Sequence, residues 1–292
     1  MQTTRFMLGL LLLFPFSSQA EPLYWQAQKD NLVLMVIGSI HVGTPAMYPL
    51  PTPVYDALGK SHGLIIEADT QASPDITPPP IYLTSGQTLT QPQQKQLALL
   101  AKQLNQDADT LLQQPPWRSA LVLQFLQFQQ LGYSAYKGVD AHLIRKAKQA
   151  GVPLISLESL QYQVDLLASL PNSGQEMLVT LLDEWDTNQS MTECLIESWQ
   201  KGDKEKLEAM MHHSGMSESM EKAFITQRNH EWAKKLSSQT FYPKSDGYYV
   251  MVVGALHLVG KNNVLDLLKE QGFMVKPLSQ SQSQPATCSF AR

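Results

Sequence analysis

Two runs of the chain share one hydrophobic pattern. Residues 32–41 read L-V-L-M-V-I-G-S-I-H and residues 248–257 read Y-Y-V-M-V-V-G-A-L-H. Neither run alternates with polar positions, and both are rich in valine or isoleucine. That predicts central strands buried on both faces. Each run ends in Gly-x-x-His, and Gly38 and Gly254, lacking a Cβ, leave room for backbone or ligand beside the histidine. Two such exits meeting over one sheet would bring His41 and His257 into one site.

Shorter apolar runs predict the remaining strands at 22–25, 63–67 (G-L-I-I-E), 152–158 (V-P-L-I-S-L-E) and 273–276, with a charged turn at Lys29-Asp30-Asn31 after the first. Between them leucine, alanine and phenylalanine recur at helical spacing over 91–112 and 119–131, separated by Pro115-Pro116. Thr90 is the expected N-cap there, and Pro92 fits a first turn. A second helical stretch spans 160–236, broken at Pro171-Asn172-Ser173-Gly174, Gly202 and Gly215. Shorter helices are expected at 54–60, at 141–149 with Asp140 as cap, and at 262–270 stopped by Gly272. The proline-rich stretch 73–80 reads as an extended connector. Strands alternating with helices describe an α/β domain. Its central sheet is mostly buried and carries helical insertions at about 90–135 and 160–237.

Composition changes this picture at the N-terminus. Arg5, an apolar core over 8–16 and Ser18-Gln19-Ala20 have the form of a signal peptide over 1–20, which leaves 21–292 as the domain. The core is short for a membrane span, and uncleaved it would act as a lipid-free N-terminal anchor. No later stretch is long and apolar enough to be a stable transmembrane segment. The expected location is therefore the periplasm or the medium. The net charge of −4 and the lack of a basic tract argue against nucleic acid as partner. In an oxidising compartment Cys194 and Cys288 would form one disulfide; the alternative is two separate thiols.

Carboxylates mark other strand exits. Glu67 terminates the run that buries Leu64, Ile65 and Ile66, Asp69 follows it, and Glu158 ends a fourth strand. Open α/β sheets place ligand groups at such exits. A neutral imidazole ligates borderline metals or acts as a general base, and a carboxylate adds the oxygen a two-histidine metal site needs. Capping or a surface ion pair would explain Asp69 and Asp140 equally well, and His41 and His257 could merely bond loops. Arg228 stands four residues from both Phe224 and Trp232, so it can share their inward face, where it needs an anionic partner: Glu67, Glu158, or a substrate carboxylate or oxyanion; the alternative is that it snorkels to water over the aromatic surface. His212-His213 reads as surface, since adjacent helical residues face apart. No Gly-x-Ser-x-Gly elbow, phosphate loop or His-Glu-x-x-His helix is present.

The phrases Gly38-Ser39-Ile40-His41-Val42-Gly43, Leu64-Ile65-Ile66-Glu67-Ala68-Asp69, Gly138-Val139-Asp140, Leu157-Glu158, Arg228-Asn229 and Gly254-Ala255-Leu256-His257 resemble the TraB/GumN family. This family includes the Tiki membrane proteases and the pheromone-shutdown proteins. The resemblance implies a fold near the erythromycin-esterase-like (EreA) and haem-associated ChaN-like proteins. It also implies a metal-dependent peptidase chemistry with manganese or cobalt, zinc being possible on ligand chemistry alone. In those terms His41 and His257 match the paired motif histidines, Glu67 matches the acidic residue after the second core strand, and Arg228 and Asn229 match the family pair before the last strand.

The expectation is an exported, divalent-metal-dependent hydrolase acting on a peptide or protein. His41, His257 and Glu67 would hold the ion, Glu67 or Glu158 would take a water proton, and Arg228 with Asn229 would complete the catalytic set. Two alternatives remain: a metal-independent esterase-like hydrolase based on His41, and a non-catalytic module that binds a ligand or haem or serves envelope assembly.

Overall fold

The computed structural model describes residues 20–70, 76–213, 215–279 and 285–289, with the side chain of His213 also left out. The expected signal peptide thus lies outside the described residues apart from Ala20, as does part of the proline-rich connector.

Six strands form one mixed sheet: β1 (Tyr24–Lys29), β2 (Leu32–Ser39), β3 (Leu64–Ile66), β4 (Leu154–Ser156), β5 (Tyr248–Gly254) and β6 (Met274–Pro277). Their order is β4-β3-β5-β2-β1-β6. The strands β4, β3, β5 and β2 run parallel, and β1 and β6 are added antiparallel at one side. A two-residue turn with Asp30 at φ 51° joins β1 to β2.

The two valine-rich runs are adjacent. In the β2–β5 register Gly38 pairs with Val253 and Ser39 with Gly254, so the two Gly-x-x-His exits lie side by side, offset by one residue. Both strands bury both faces, as their lack of alternation predicts. Met35, Ile37, Val250 and Val252 face a core covered by the helices Thr52–Lys60 and Val139–Ala150. Leu34, Val36, Met251 and Val253 face a second core covered by Gln227–Ser237 and Val264–Glu270. The helical insertions have a core of their own, in which Leu97, Leu100 and Leu123 pack on Leu178 and Leu182.

Several local expectations need adjusting. Thr90 does form a capping box with Gln93. Asp140 is not a cap: the helix starts at Val139, Gly138 is the N-cap, and the Asp140 carboxylate is used elsewhere. The last long helix begins at Val264 with Asn263 capping it, two residues later than expected. The strand over 152–158 shrinks to Leu154–Ser156, but pairing persists past its end. Leu157 N donates to Ile66 O and Glu158 N donates to Glu67 O, both at 2.9 Å. The segment before Arg228 is not continuous α-helix: Lys222–Thr226 is a π-turn between Glu218–Glu221 and Gln227–Ser237.

Cys194 and Cys288 are disulfide-bonded. The bond pins the C-terminal segment to the helix Trp185–Gln200, where Glu197 also accepts from Thr287 N, and just past that helix Asp203 accepts from Ala286 N. The same helix reaches the first Gly-x-x-His phrase, since Trp199 Nε1 donates to Gly38 O at 2.7 Å.

Candidate active site

The four parallel strands end on one edge of the sheet, and the segments leaving that edge carry His41, Glu67, Glu158 and His257. This is the carboxyl end, where open α/β sheets bind ligands. Arg228 and Asn229 enter from the helix Gln227–Ser237 that covers the same edge.

A buried ion cluster forms the base of the site. Arg228 Nη2 donates to Glu67 Oε2 and to Glu158 Oε1, each at 2.6 Å, and Arg228 Nε donates to Glu158 Oε2 at 3.2 Å. Its Nη1 donates to Phe224 O at 3.0 Å and meets His257 Nε2 at 3.2 Å. All five guanidinium protons therefore have partners within the protein. The guanidinium also lies 4.6 Å from the Trp232 ring, one helical turn away. Both Glu158 oxygens are saturated, since Oε1 also accepts from Gln163 Nε2 and Oε2 from Trp232 Nε1. With no lone pair left to meet a water, Glu158 is a structural partner of Arg228, and Arg228 holds carboxylates rather than an oxyanion.

His257 is the neutral member of this cluster. Asn229 Nδ2 donates to Asn262 O at 2.9 Å, so its Oδ1 accepts, and His257 Nδ1 donates to it at 2.6 Å. That assigns the ring proton to Nδ1 and leaves the Nε2 lone pair to Arg228. Burial lowers the His257 pKa to about 3, with Arg228 and His41 adding to it against the opposing pull of Glu67.

Glu67 keeps one oxygen for chemistry. Oε2 is held by Arg228, whereas Oε1 accepts from Gly254 N at 2.7 Å and lies 4.0 Å from His257 Nε2. Burial pushes its pKa up, but His257 once acid has protonated it, the charges of His41 and Arg228, and the Gly254 N–H outweigh that and hold it at about 2. Glu67 is thus a carboxylate throughout the neutral range.

His41 is paired with Asp140, whose place at a helix start predicts a cap. His41 Nδ1 lies 2.9 Å from Asp140 Oδ2, and Ser39 Oγ donates to Asp140 Oδ1 at 2.5 Å. The Asp140 carboxylate raises the His41 pKa well above 6.5, against the opposing effect of burial. The side chain is 65 % exposed, so water screens part of that pull. Close approach makes the pair possible: a Cβ on Gly138 would stand 2.4 Å from His41 O, so only glycine lets the helix Val139–Ala150 abut this loop. The signal in the sequence was an acidic residue in the first turn of a helix that follows Gly138.

The two clusters face one another across Gly254. An ideal Cβ there would lie 3.4 Å from Glu67 Oε1, 3.4 Å from His257 Cδ2 and 3.7 Å from His41 Nε2. The missing methyl leaves space between a carboxylate oxygen and the outer nitrogen of the His41–Asp140 pair. Since those distances are ordinary contacts, Gly254→Ala is expected to fold with a melting temperature close to wild type. It would put a methyl group in that space and reduce turnover at least about tenfold, as expected for displacing a reacting group. Parallel melting curves and rate assays would check this, and an undiminished rate would show that nothing reacts there.

Asp69 turns away from the site to Lys148 at 3.8 Å. His212 is exposed on its helix, and His62 bonds the Tyr248 backbone. Among the described residues no group of three or more His, Cys, Asp or Glu is placed to hold a metal ion, and no helix is long and apolar enough to cross a membrane.

Comparison with known proteins places this arrangement in context. Residues 23–277 match the model of the TraB/PrgY/gumN family. The chain is 32 % identical over 235 residues to YbaP, an uncharacterized protein of Escherichia coli (strain K12), covering 80 % of this chain and 87 % of that one. The YbaP of Shigella flexneri matches to the same extent. No solved structure matches significantly.

Proposed function

The chain belongs to the TraB/PrgY/gumN family, and from that premise we propose that it is a hydrolase of ester or peptide bonds built on the His41–Asp140 pair. One observation carries the reading: His41 Nδ1 is bound to Asp140, while Nε2 faces the space beside Gly254 that Glu67 Oε1 also faces. Asp140 fixes the ring and stabilises its cation, and Ser39 fixes Asp140. His41 Nε2 takes a proton from a water positioned by Glu67 Oε1, and the water oxygen attacks the carbonyl carbon. The proton then passes from Nε2 to the departing alcohol or amine as the carbon–oxygen or carbon–nitrogen bond breaks. Arg228, Glu158, Asn229 and His257 hold Glu67 in place. This is the chemistry of an erythromycin-esterase-like enzyme, and a peptide or protein is the expected substrate. The signal-like sequence at 1–20 supports export to the periplasm or the medium.

A divalent ion is the second reading, favoured by the cradle at Gly254. The three-ligand set His41, His257 and Glu67 does not fit, because His257 Nε2 already accepts from Arg228. A two-ligand set does: His41 Nε2 and Glu67 Oε1 both border the open space. A manganese, cobalt or zinc ion there would polarise a carbonyl and acidify a bound water.

The decisive assay pairs a panel of nitrophenyl esters and fluorogenic peptides with EDTA-treated wild-type and His41→Ala protein. Turnover that survives chelation and falls at least about a hundredfold in His41→Ala is expected, in line with loss of a general base. Turnover lost on chelation and restored by manganese or cobalt would replace the first reading with the second. Stable ligand binding without turnover would remove hydrolysis altogether.

A further inference from the structure

A separate cavity of about 570 Å3 lies between the helices Thr52–Lys60 and Val139–Ala150, bordered by Tyr48, Tyr55, Leu58, Gly59, His142 and Lys146. None of these residues belongs to the catalytic cluster. The walls are apolar and aromatic: the His142 ring stacks on Tyr48 with centroids 4.2 Å apart and meets Tyr55 edge-on at 5.9 Å.

The polar groups in these walls are unevenly satisfied. Tyr48 Oη donates to Lys137 O at 2.7 Å, and Tyr55 Oη accepts from Leu50 N at 3.0 Å. Tyr55 Oη also lies 3.0 Å from His142 Nε2, and we assign the phenol proton to that nitrogen because it has no other acceptor among the described residues. The imidazole proton is then on Nδ1. Burial first, then Arg145 and Lys146, lowers the His142 pKa to about 4, which keeps the ring neutral. His142 Nδ1–H and the Lys146 ammonium are four residues apart on one helix face, and no hydrogen bond or ion pair involves either among the described residues. The cavity therefore presents two free donors and a positive charge against aromatic and aliphatic walls, with Arg145 adding to the positive field.

The geometry points to a binding site for a small hydrophobic carboxylate, its ring against Tyr48, Tyr55 and Leu58 and its carboxylate on Lys146 Nζ and His142 Nδ1. A carboxylate supplies two acceptors to two donors and one charge to one charge. The apolar walls favour such an ion over a multiply charged phosphate, which would lose more hydration on entering. Occupancy does not depend on whether the catalytic site hydrolyses anything.

Calorimetric titration of the full chain with 2-naphthoate, and with the uncharged isostere 2-naphthamide, tests the site. One-to-one binding of naphthoate is expected, weakened at least about tenfold both in Lys146→Met and on going to the amide, as for loss of a charge-assisted hydrogen bond. Gly59→Phe supplies the occlusion control. A Cβ at Gly59 meets nothing within 4 Å, and glycine is a poor helix former, so a larger side chain there can enter the cavity without harming the fold. Binding should vanish in Gly59→Phe, persist in Gly59→Ala and persist in His41→Ala. Absence of saturable binding at millimolar probe would overturn the assignment. So would equal affinity for the amide, indifference to Lys146→Met or Gly59→Phe, or loss of binding in His41→Ala, which would move the ligand to the catalytic site.

Discussion

Replacing Arg228 with methionine is expected to destabilise the protein by about 3–5 kcal/mol, the usual cost of removing one partner from a buried ion pair. Glu67 and Glu158 would be left in the interior with their shared counter-ion gone, and the His257 Nε2 lone pair with no donor. Lysine is a poor substitute: its ammonium has three protons where Arg228 uses five, and it lacks the planar fork that spans both carboxylates. Urea unfolding of wild type, Arg228→Met and Arg228→Lys measures these losses. The double variant Arg228→Met/Glu158→Gln should recover part of the cost, since it removes one stranded charge. A loss below about 1 kcal/mol for Arg228→Met would mean that the cluster is not a structural clamp. The same cluster sets an acid limb. The Glu67 pKa is held at about 2, below its unfolded value of about 4.3, so its stabilisation is complete above that value and is lost as pH falls through the folded one.

Asp140→Asn should leave stability nearly intact and lower the maximal rate by about 10^3–10^4, the scale seen when the carboxylate behind a catalytic histidine is neutralised. The substituted amide keeps the shape but removes the charge that raises the His41 pKa and stabilises its cation. The two effects separate on a pH–rate profile. In the wild type Asp140 raises the His41 pKa, so the rate should rise with pH on a limb above the ordinary histidine value as the neutral base forms. In Asp140→Asn the limb should move to lower pH, towards the ordinary histidine value, while its plateau falls. A fall in rate with no shift of the limb would make Asp140 a scaffold for the loop rather than a partner in proton transfer.

Much of this site was legible because burial leaves a strong mark. Runs as apolar as 32–37 and 248–253 have no solution but a central strand, and a carboxylate or arginine among buried neighbours must find a partner. Hence Glu67, Glu158, Arg228 and His257 stand out in the sequence, and the fold brings them together, with Arg228 meeting both carboxylates and His257. The roles within the cluster were less legible. Whether a guanidinium proton reaches a substrate or a neighbouring side chain depends on tenths of an ångström, which spacing does not encode. Asp140 looked like a helix cap because caps and catalytic partners use the same side chain at the same place. The i+4 spacing of Phe224, Arg228 and Trp232 suggested one regular face. The π-turn at Lys222–Thr226 leaves no trace in that spacing, and at Arg228 Nη1 the Phe224 partner is its carbonyl rather than its ring.

The position of β5 in the sheet has a consequence for synthesis. Among the described residues it is the strand that joins β2 to β3, and it is encoded more than two hundred residues after β2 begins. Before it emerges from the ribosome the chain holds two pieces, the β1–β2 hairpin and the β3–β4 pair, whose strands do not pair with each other among the described residues. Pairing at such separation is slow and leaves apolar edges exposed meanwhile. The unfinished polypeptide therefore carries a gap one strand wide between the histidine of the first motif and the glutamate of the second strand exit. The cluster around Gly254 is completed in a single late step, when the strand bearing the second motif fills that gap.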